Sequence, residues 1–139
     1  SEKYIALKKV PMLSGLSDAE LWELALAGKW SEVPAKKVLV KENEKGDSFF
    51  FVGRGQVKVT RQGKLLNTLD ERECFGEMAY IRGGEIPRHA TVESATELLL
   101  AEFDPDTLAK MSVGAQLHLT RALVRNLVDR LEVANTRMR

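Results

Sequence analysis

The chain has 139 residues, a length that suits one domain with a core of its own. Charged residues make up 29% and apolar residues 44%, with a formal net charge of +1, so bulk electrostatics point to neither a nucleic-acid nor a membrane partner. No apolar run reaches the roughly 18 residues of a membrane span and no secretory leader opens the chain, while the single cysteine, Cys74, excludes an internal disulfide and fits a reducing, cytoplasmic compartment.

Lys3 to Lys9, with Val10 and Leu13 behind it, reads as a short helix running into a loop. The next helix is better marked. Ser17-Asp18-Ala19-Glu20 is a capping box, Leu16 and Leu21 are spaced for a hydrophobic staple across it, and Gly28 is a natural stop. From Trp30 the period shortens. Trp30–Val33, Lys37–Val40, Ser48–Val52, Gln56–Thr60, Leu65–Leu69, Ala90–Val92 and Glu97–Phe103 read as strands, with turns at Lys45-Gly46-Asp47 and Arg61-Gln62-Gly63-Lys64. Seven or eight short strands at this spacing predict a sandwich or barrel rather than a parallel sheet.

Between these strands lies the segment with the most chemistry, Phe75 to Ser94. Gly76 lacks a Cβ, so its backbone can turn sharply and lie against a ligand. Glu77 to Ile81 suit one or two helical turns that Gly83-Gly84 would end, and the free N–H groups of such a first turn favour an anion. Arg88 follows Pro87, and its planar fork can hold a phosphate through two hydrogen bonds. Glu77 would repel a phosphate, so its presence makes sense if the ligand also offers a hydroxyl donor, as a ribose does. Taken singly, Arg88 reads as a surface arginine and Glu77 as a helix-start carboxylate; their order together is what discriminates. Cys74, next to this segment, reads as a buried, unreactive thiol.

The last third is helical. Asp104-Pro105 is an N-cap with Pro in the first turn of a helix reaching about Met111, and Ser112-Val113-Gly114 is expected to break or bend it. A longer helix is expected from Ala115 to near Arg137. Along it Leu117, Thr120, Val124, Leu127, Leu131, Ala134 and Met138 recur at spacings of three and four, while Leu119, Leu123 and Val128 form a second line. The first seam reads equally as a stripe packed on the chain's own strands and as a two-fold dimer contact. Arg125, Asp129, Asn135 and Thr136 are polar positions of this helix.

Phe75-Gly76-Glu77-Met78-Ala79, followed by Pro87-Arg88-His89-Ala90-Thr91-Val92, resembles the phosphate-binding cassette of the cyclic nucleotide-binding domain family, which includes catabolite-activator-like and protein-kinase-A-regulatory-subunit-like sensors. Gly46-Asp47-Ser48-Phe49-Phe50-Phe51-Val52 with Gly55, Val57 and Val59 resembles a second signature of that family. Asn43 stands where the family usually has Gly, and Asn is the next best tolerated residue at positive φ. The spacer between Glu77 and Arg88 is longer than is usual, which places the extra length at Gly83–Ile86.

The resemblance implies a mainly β fold, a jelly-roll β-barrel over 29–103 between N-terminal helices (1–28) and C-terminal helices (104–139) that act as lid or dimerisation element. It implies ligand contacts at Gly76, Glu77, Met78, Ala79, Arg88, His89 and Ala90, with Glu77 on the ribose 2′-hydroxyl, Arg88 on the cyclic phosphate and the N–H groups of Ala79 and His89 completing the cradle. Near the end of the lid helix Asn135 and Thr136 are the candidates for the base edge, each reading otherwise as a solvated helix residue. His89 sits where cGMP-selective members tend to carry Thr, so the ligand expected is cAMP, with cGMP the alternative. The implied partner is an effector outside this chain, with a homodimer through the last helix as a further expectation. Rival readings are the sensor half of a catabolite-activator-type transcription regulator and a ligand-free docking module. With two histidines, no metal-ligand cluster, no Walker loop and no nucleophile–base pair, neither a metal site, a cofactor nor enzyme activity is expected.

Overall fold

A computed structural model describes residues 1–137. The chain opens with α1 (Glu2–Lys8), capped by the Ser1 hydroxyl, and a 3-10 turn at Pro11–Leu13 leads to α2 (Asp18–Ala27). The capping box forms as expected: Ser17 Oγ accepts from Glu20 N at 3.2 Å, and Glu20 Oε1 accepts from Ser17 N at 2.9 Å. Leu16 and Leu21 are both buried beside it. Gly28 ends the helix for a reason other than the left-handed turn of most C-terminal glycines. Its φ is −68°, and a Cβ there would lie 2.7 Å from the Phe103 ring.

Eight strands follow: β1 (Lys29–Val33), β2 (Val38–Val40), β3 (Phe49–Arg54), β4 (Gln56–Arg61), β5 (Lys64–Asp70), β6 (Cys74–Phe75), β7 (Thr91–Ser94) and β8 (Leu98–Phe103). They form two antiparallel sheets, ordered β1-β8-β3-β6 and β2-β7-β4-β5. The expected closed barrel is therefore corrected to a jelly-roll sandwich. Each sheet keeps two edge strands, β1 and β6 in one and β2 and β5 in the other, and core packing rather than continuous hydrogen bonding joins them. β6 was absent from the expected set because two residues are too few to show a period; its pairing of Phe75 with Phe50 brings the cassette to the sheet edge.

Strands β3 and β8 are covered on both faces. Phe49, Phe51 and Phe103 pack with Leu7, Leu24, Leu119 and Leu123 on the helical side, whereas Phe50, Val52, Leu98 and Leu100 pack with Val57, Leu69, Phe75 and Val92 between the sheets. This double burial explains the unbroken apolar runs Phe49-Phe50-Phe51-Val52 and Leu98-Leu99-Leu100-Ala101. Each such side chain contributes about 1.5–3 kcal/mol, so the central pair anchors both the helices and the site.

Asp104 caps α4 (Pro105–Leu108), accepting from Thr107 N at 2.8 Å. That backbone bond is the main reason its carboxyl titrates at about 2. The following helix, α5 (Val113–Arg137), starts two residues before the expected Ala115. Ser112 is its cap, its hydroxyl accepting from Ala115 N at 3.2 Å, and the break between the two helices falls earlier than expected, α4 ending at Leu108 rather than near Met111. The first half of α5 is held in the core through Ala115, Leu119, Ala122 and Leu123. It is also tied to α2, where Glu20 meets His118 Nδ1 at 2.8 Å and Glu23 accepts from Ser112 N and Oγ. Beyond Val124 the helix leaves the core, and Val124, Val128 and Leu131 are exposed. Met138, the last residue of the expected seam, lies outside the described residues.

Candidate functional site

Gly76 caps α3 (Glu77–Ile81) at φ +83°, a left-handed conformation that glycine adopts at least cost. A Cβ there would sit 2.9 Å from Ser48 O and 3.1 Å from Arg88 Nη1, so both the turn and the close approach require glycine. Glycines Gly83 and Gly84, at φ +73° and +77°, end the helix, with Gly84 N donating to Ala79 O at 3.0 Å. The long spacer is packed: a Cβ at Gly84 would lie 3.0 Å from Asp47 Cβ. Asn43 has φ +71°, and its N–H donates to Arg88 O at 2.7 Å while Arg88 N donates to Glu44 O at 2.9 Å. The loop before β3 and the cassette are thus laced together through their backbones.

Arg88 projects between Gly46 and Gly76, where either Cβ would crowd its guanidinium. Its Nη2 donates to Ser48 O at 3.0 Å, and among the described residues no carboxylate lies within ion-pair distance. Burial pulls its pKa down, with Asp47 and Glu102 opposing the shift from farther away. Glu102 is engaged by Ser48 Oγ at 2.8 Å. A half-buried guanidinium whose only partner among the described residues is one carbonyl still has donors to offer an anion.

Glu77 is buried, at 3% exposure. Its Oε1 accepts from Arg130 Nη1 on α5, and Arg130 Nη2 donates to Cys74 O at 3.1 Å. The Cys74 thiol, buried as expected, lies 3.8 Å from Glu77 Oε2. Sequence reading missed Arg130. The available signal was helical spacing: Asn126, Arg130 and Arg137 share a line on the face opposite Val124 and Leu131, and a carboxylate opening a buried helix turn calls for a cation.

A cavity of about 620 Å³ joins these parts. Gly76, Glu77, Met78, Ala79, Arg88, His89 and Ala90 all line it. Val40, Val59, Leu66 and Leu69 form an apolar wall, and Asp129, Arg130, Val133, Ala134 and Arg137 close it from the α5 side. The structure does not bring Asn135 there. It is exposed, because a helix turns about 100° per residue and its neighbours Ala134 and Arg137 take the inward face. Of the other polar positions on α5, Asp129 lines the cavity while Arg125 and Thr136 do not. The lining holds four arginines, Arg82, Arg88, Arg130 and Arg137, against Glu73, Glu77 and Asp129, leaving one positive charge in excess. Burial raises the Glu73 pKa, opposed by the bond it accepts from Asp70 N and assisted by the Asp70 carboxylate.

The sequence model of the family described as cyclic nucleotide-binding domain matches residues 30–112. A cAMP-dependent protein kinase regulatory subunit from Yarrowia lipolytica is 35% identical over 107 residues, covering 76% of this chain and 28% of that protein. A cyclic nucleotide-gated potassium channel from Rhizobium etli is 40% identical over 91 residues, covering 66% of this chain and 25% of that protein. The chain therefore spans only about a quarter of the length of these curated relatives. Among solved structures, the catabolite activator protein of Thermus thermophilus matches with a TM-score of 0.80 at 21% identity, over 92% of this chain and 61% of that one, a likeness of fold.

Proposed function

The chain belongs to the cyclic nucleotide-binding domain family, and from that premise we propose that it binds cAMP and passes the occupancy of its cavity through α5 to an effector outside these residues. The observation that carries the reading is Arg88, a half-buried cation with no carboxylate partner among the described residues, set beside the first turn of α3. The phosphate takes the Arg88 fork and the N–H groups of Ala79 and His89. The ribose 2′-hydroxyl donates to Glu77, and the base lies against Leu66, Val133 and Ala134. The single excess positive charge of the lining matches the single negative charge of a cyclic monophosphate.

The preference for cAMP is supported by the lining, which among the described residues holds no hydroxyl side chain that could pair with a guanine amino group. One residue favours cGMP: Asp129 offers a carboxylate that could accept from the guanine N1–H and 2-amino groups. Transmission follows from where Arg130 sits. It joins Glu77 to the exposed half of α5, so a ribose that engages Glu77 changes what holds that half in place. A ligand that contacts α5 in one arrangement only shifts the helix by the value of those contacts, about 1–3 kcal/mol in typical coupled systems. The effector follows the relatives, whether a kinase catalytic partner, a channel, or a DNA-binding segment of the catabolite-activator kind.

The test is titration calorimetry of this chain with cAMP and cGMP. Micromolar or tighter binding, with cAMP ahead, is the expected result. Tighter binding of cGMP would move the base reading to Asp129. No heat and no thermal stabilisation with either nucleotide would overturn the proposal in favour of a ligand-free docking module.

A further inference from the structure

Cys74 is the protein's only cysteine, and its side chain is fully buried where β6, α3 and α5 meet. Its Sγ lies 3.8 Å from Glu77 Oε2 and 3.8 Å from Asn126 Nδ2. A carboxylate only accepts and an amide N–H only donates, so the direction of this chain is set. Asn126 donates to the sulfur, and the S–H donates to Glu77. Burial pushes the Cys74 thiol well above its ordinary pKa, and the charge of Glu77 adds to the shift, so the proton stays on sulfur.

The two oxygens of Glu77 are held very differently. Oε1 is gripped by Arg130, whose side chain is 45% exposed, whereas the Glu77 side chain is 4% exposed and its Oε2 has the thiol as its donor among the described residues. The last torsion of a glutamate is broad and nearly free, so one guanidinium on one oxygen does not fix the carboxylate plane. A donor on the inner oxygen does. Asn126 and Arg130 are one turn apart on α5, and both reach Cys74, one at the sulfur and the other at the carbonyl oxygen.

We propose that Cys74 is a positioning residue for the nucleotide: its thiol orients the Glu77 carboxylate for the ribose hydroxyl and, through Asn126, forms a buried second link between cassette and α5 beside Arg130. This inference rests on the reading of Glu77 as the ribose partner. Arg130 is the solvent-facing strand of the link and the thiol is the dry one. The residue is inaccessible to reagents, so its role is that of a fixed donor.

The experiment titrates cAMP and 2′-deoxy-cAMP into the wild-type chain, Cys74→Ala and Cys74→Val. The two variants change the side-chain volume in opposite directions and share only the loss of the donor. Both are expected to lose roughly 3–10-fold in cAMP affinity, the value of one modest hydrogen bond, and to hold 2′-deoxy-cAMP within about twofold of wild type. Parallel losses for both ligands, leaving the wild-type ratio intact, would show packing alone and overturn the inference while the Glu77 reading stood. A wild-type chain indifferent to the 2′-hydroxyl would take down the Glu77 reading and the inference with it. A measurement needing no variant is the infrared S–H stretch, which in this chain belongs to one group. Saturation with cAMP should shift it and 2′-deoxy-cAMP should not; an identical band in both complexes would also overturn the inference.

Discussion

The two ends of the cavity are built on opposite principles. The phosphate end comes from two short loops, 43–48 and 76–88, whose backbones bond to each other and whose glycines leave room for one arginine. Its arginine is placed across the two loops, with Arg88 bonded to Ser48 O between Gly46 and Gly76. The α5 end is delivered by a helix rooted in the core at Leu119 and Leu123 but largely exposed beyond Leu127, and it meets the cassette through Asn126 and Arg130. A rigid end binds, while an end held by a few polar contacts can respond to what is bound. Under the proposed function, affinity is assigned to the first end and signalling to the second on the strength of that contrast.

The most direct way to break the rigid end is Arg88→Ala. It should weaken cAMP binding by about 2–4 kcal/mol, because the phosphate loses a charged bidentate partner in a partly desolvated site. Calorimetry giving an unchanged affinity would remove the phosphate from this end. Gly76→Ala attacks the same end through its backbone. The left-handed φ and the 2.9 Å approach to Ser48 O should together cost about 1–3 kcal/mol of stability in urea unfolding. Gly83→Ala, at a similar φ but with nothing within 4 Å, should lose only about 1 kcal/mol, and equal losses would mean the close approach is unimportant.

At the responsive end, Arg130→Ala should cost about 1–2 kcal/mol in binding and also lower the melting temperature, because the buried Glu77 carboxylate loses its cation. Hydrogen exchange should report faster opening of 124–137 and a smaller change on adding ligand; protection equal to wild type would place the coupling elsewhere. The smallest effect lies outside both ends and serves as a control. The Asp104 carboxyl, held at about 2 by its cap bond to Thr107 N, is depressed below its unfolded value. Its contribution is present above the unfolded pKa near 4 and is lost as pH falls towards 2. Asp104→Asn keeps a capping oxygen, so it should flatten that part of the acid-unfolding curve without touching nucleotide affinity. An acid limb identical to wild type would assign the loss to other carboxylates.

The same contrast sorts what could be read from the residues alone. The capping box at Ser17, the positive φ at Asn43, the Pro cap at Asp104 and the order Gly76-Glu77 to Arg88 were legible, because each is a residue type suited to its own backbone position. Gly76, Glu77, Met78, Ala79, Arg88, His89 and Ala90 all line one cavity. Four features were decided only by tertiary structure. Whether the strands closed into a barrel depended on edge pairing between segments far apart, and a two-residue strand like β6 exists only because β3 lies beside it. The start of α5 at Val113 depended on the grip of Glu23 on Ser112. Above all, the inward face of α5 was set by the rotation at which Leu119 and Leu123 entered the core, and that rotation chose Arg130, Ala134 and Arg137 over Asn135. A periodic sequence states that a helix has faces; only the packing of the rest of the molecule determines which face meets the ligand.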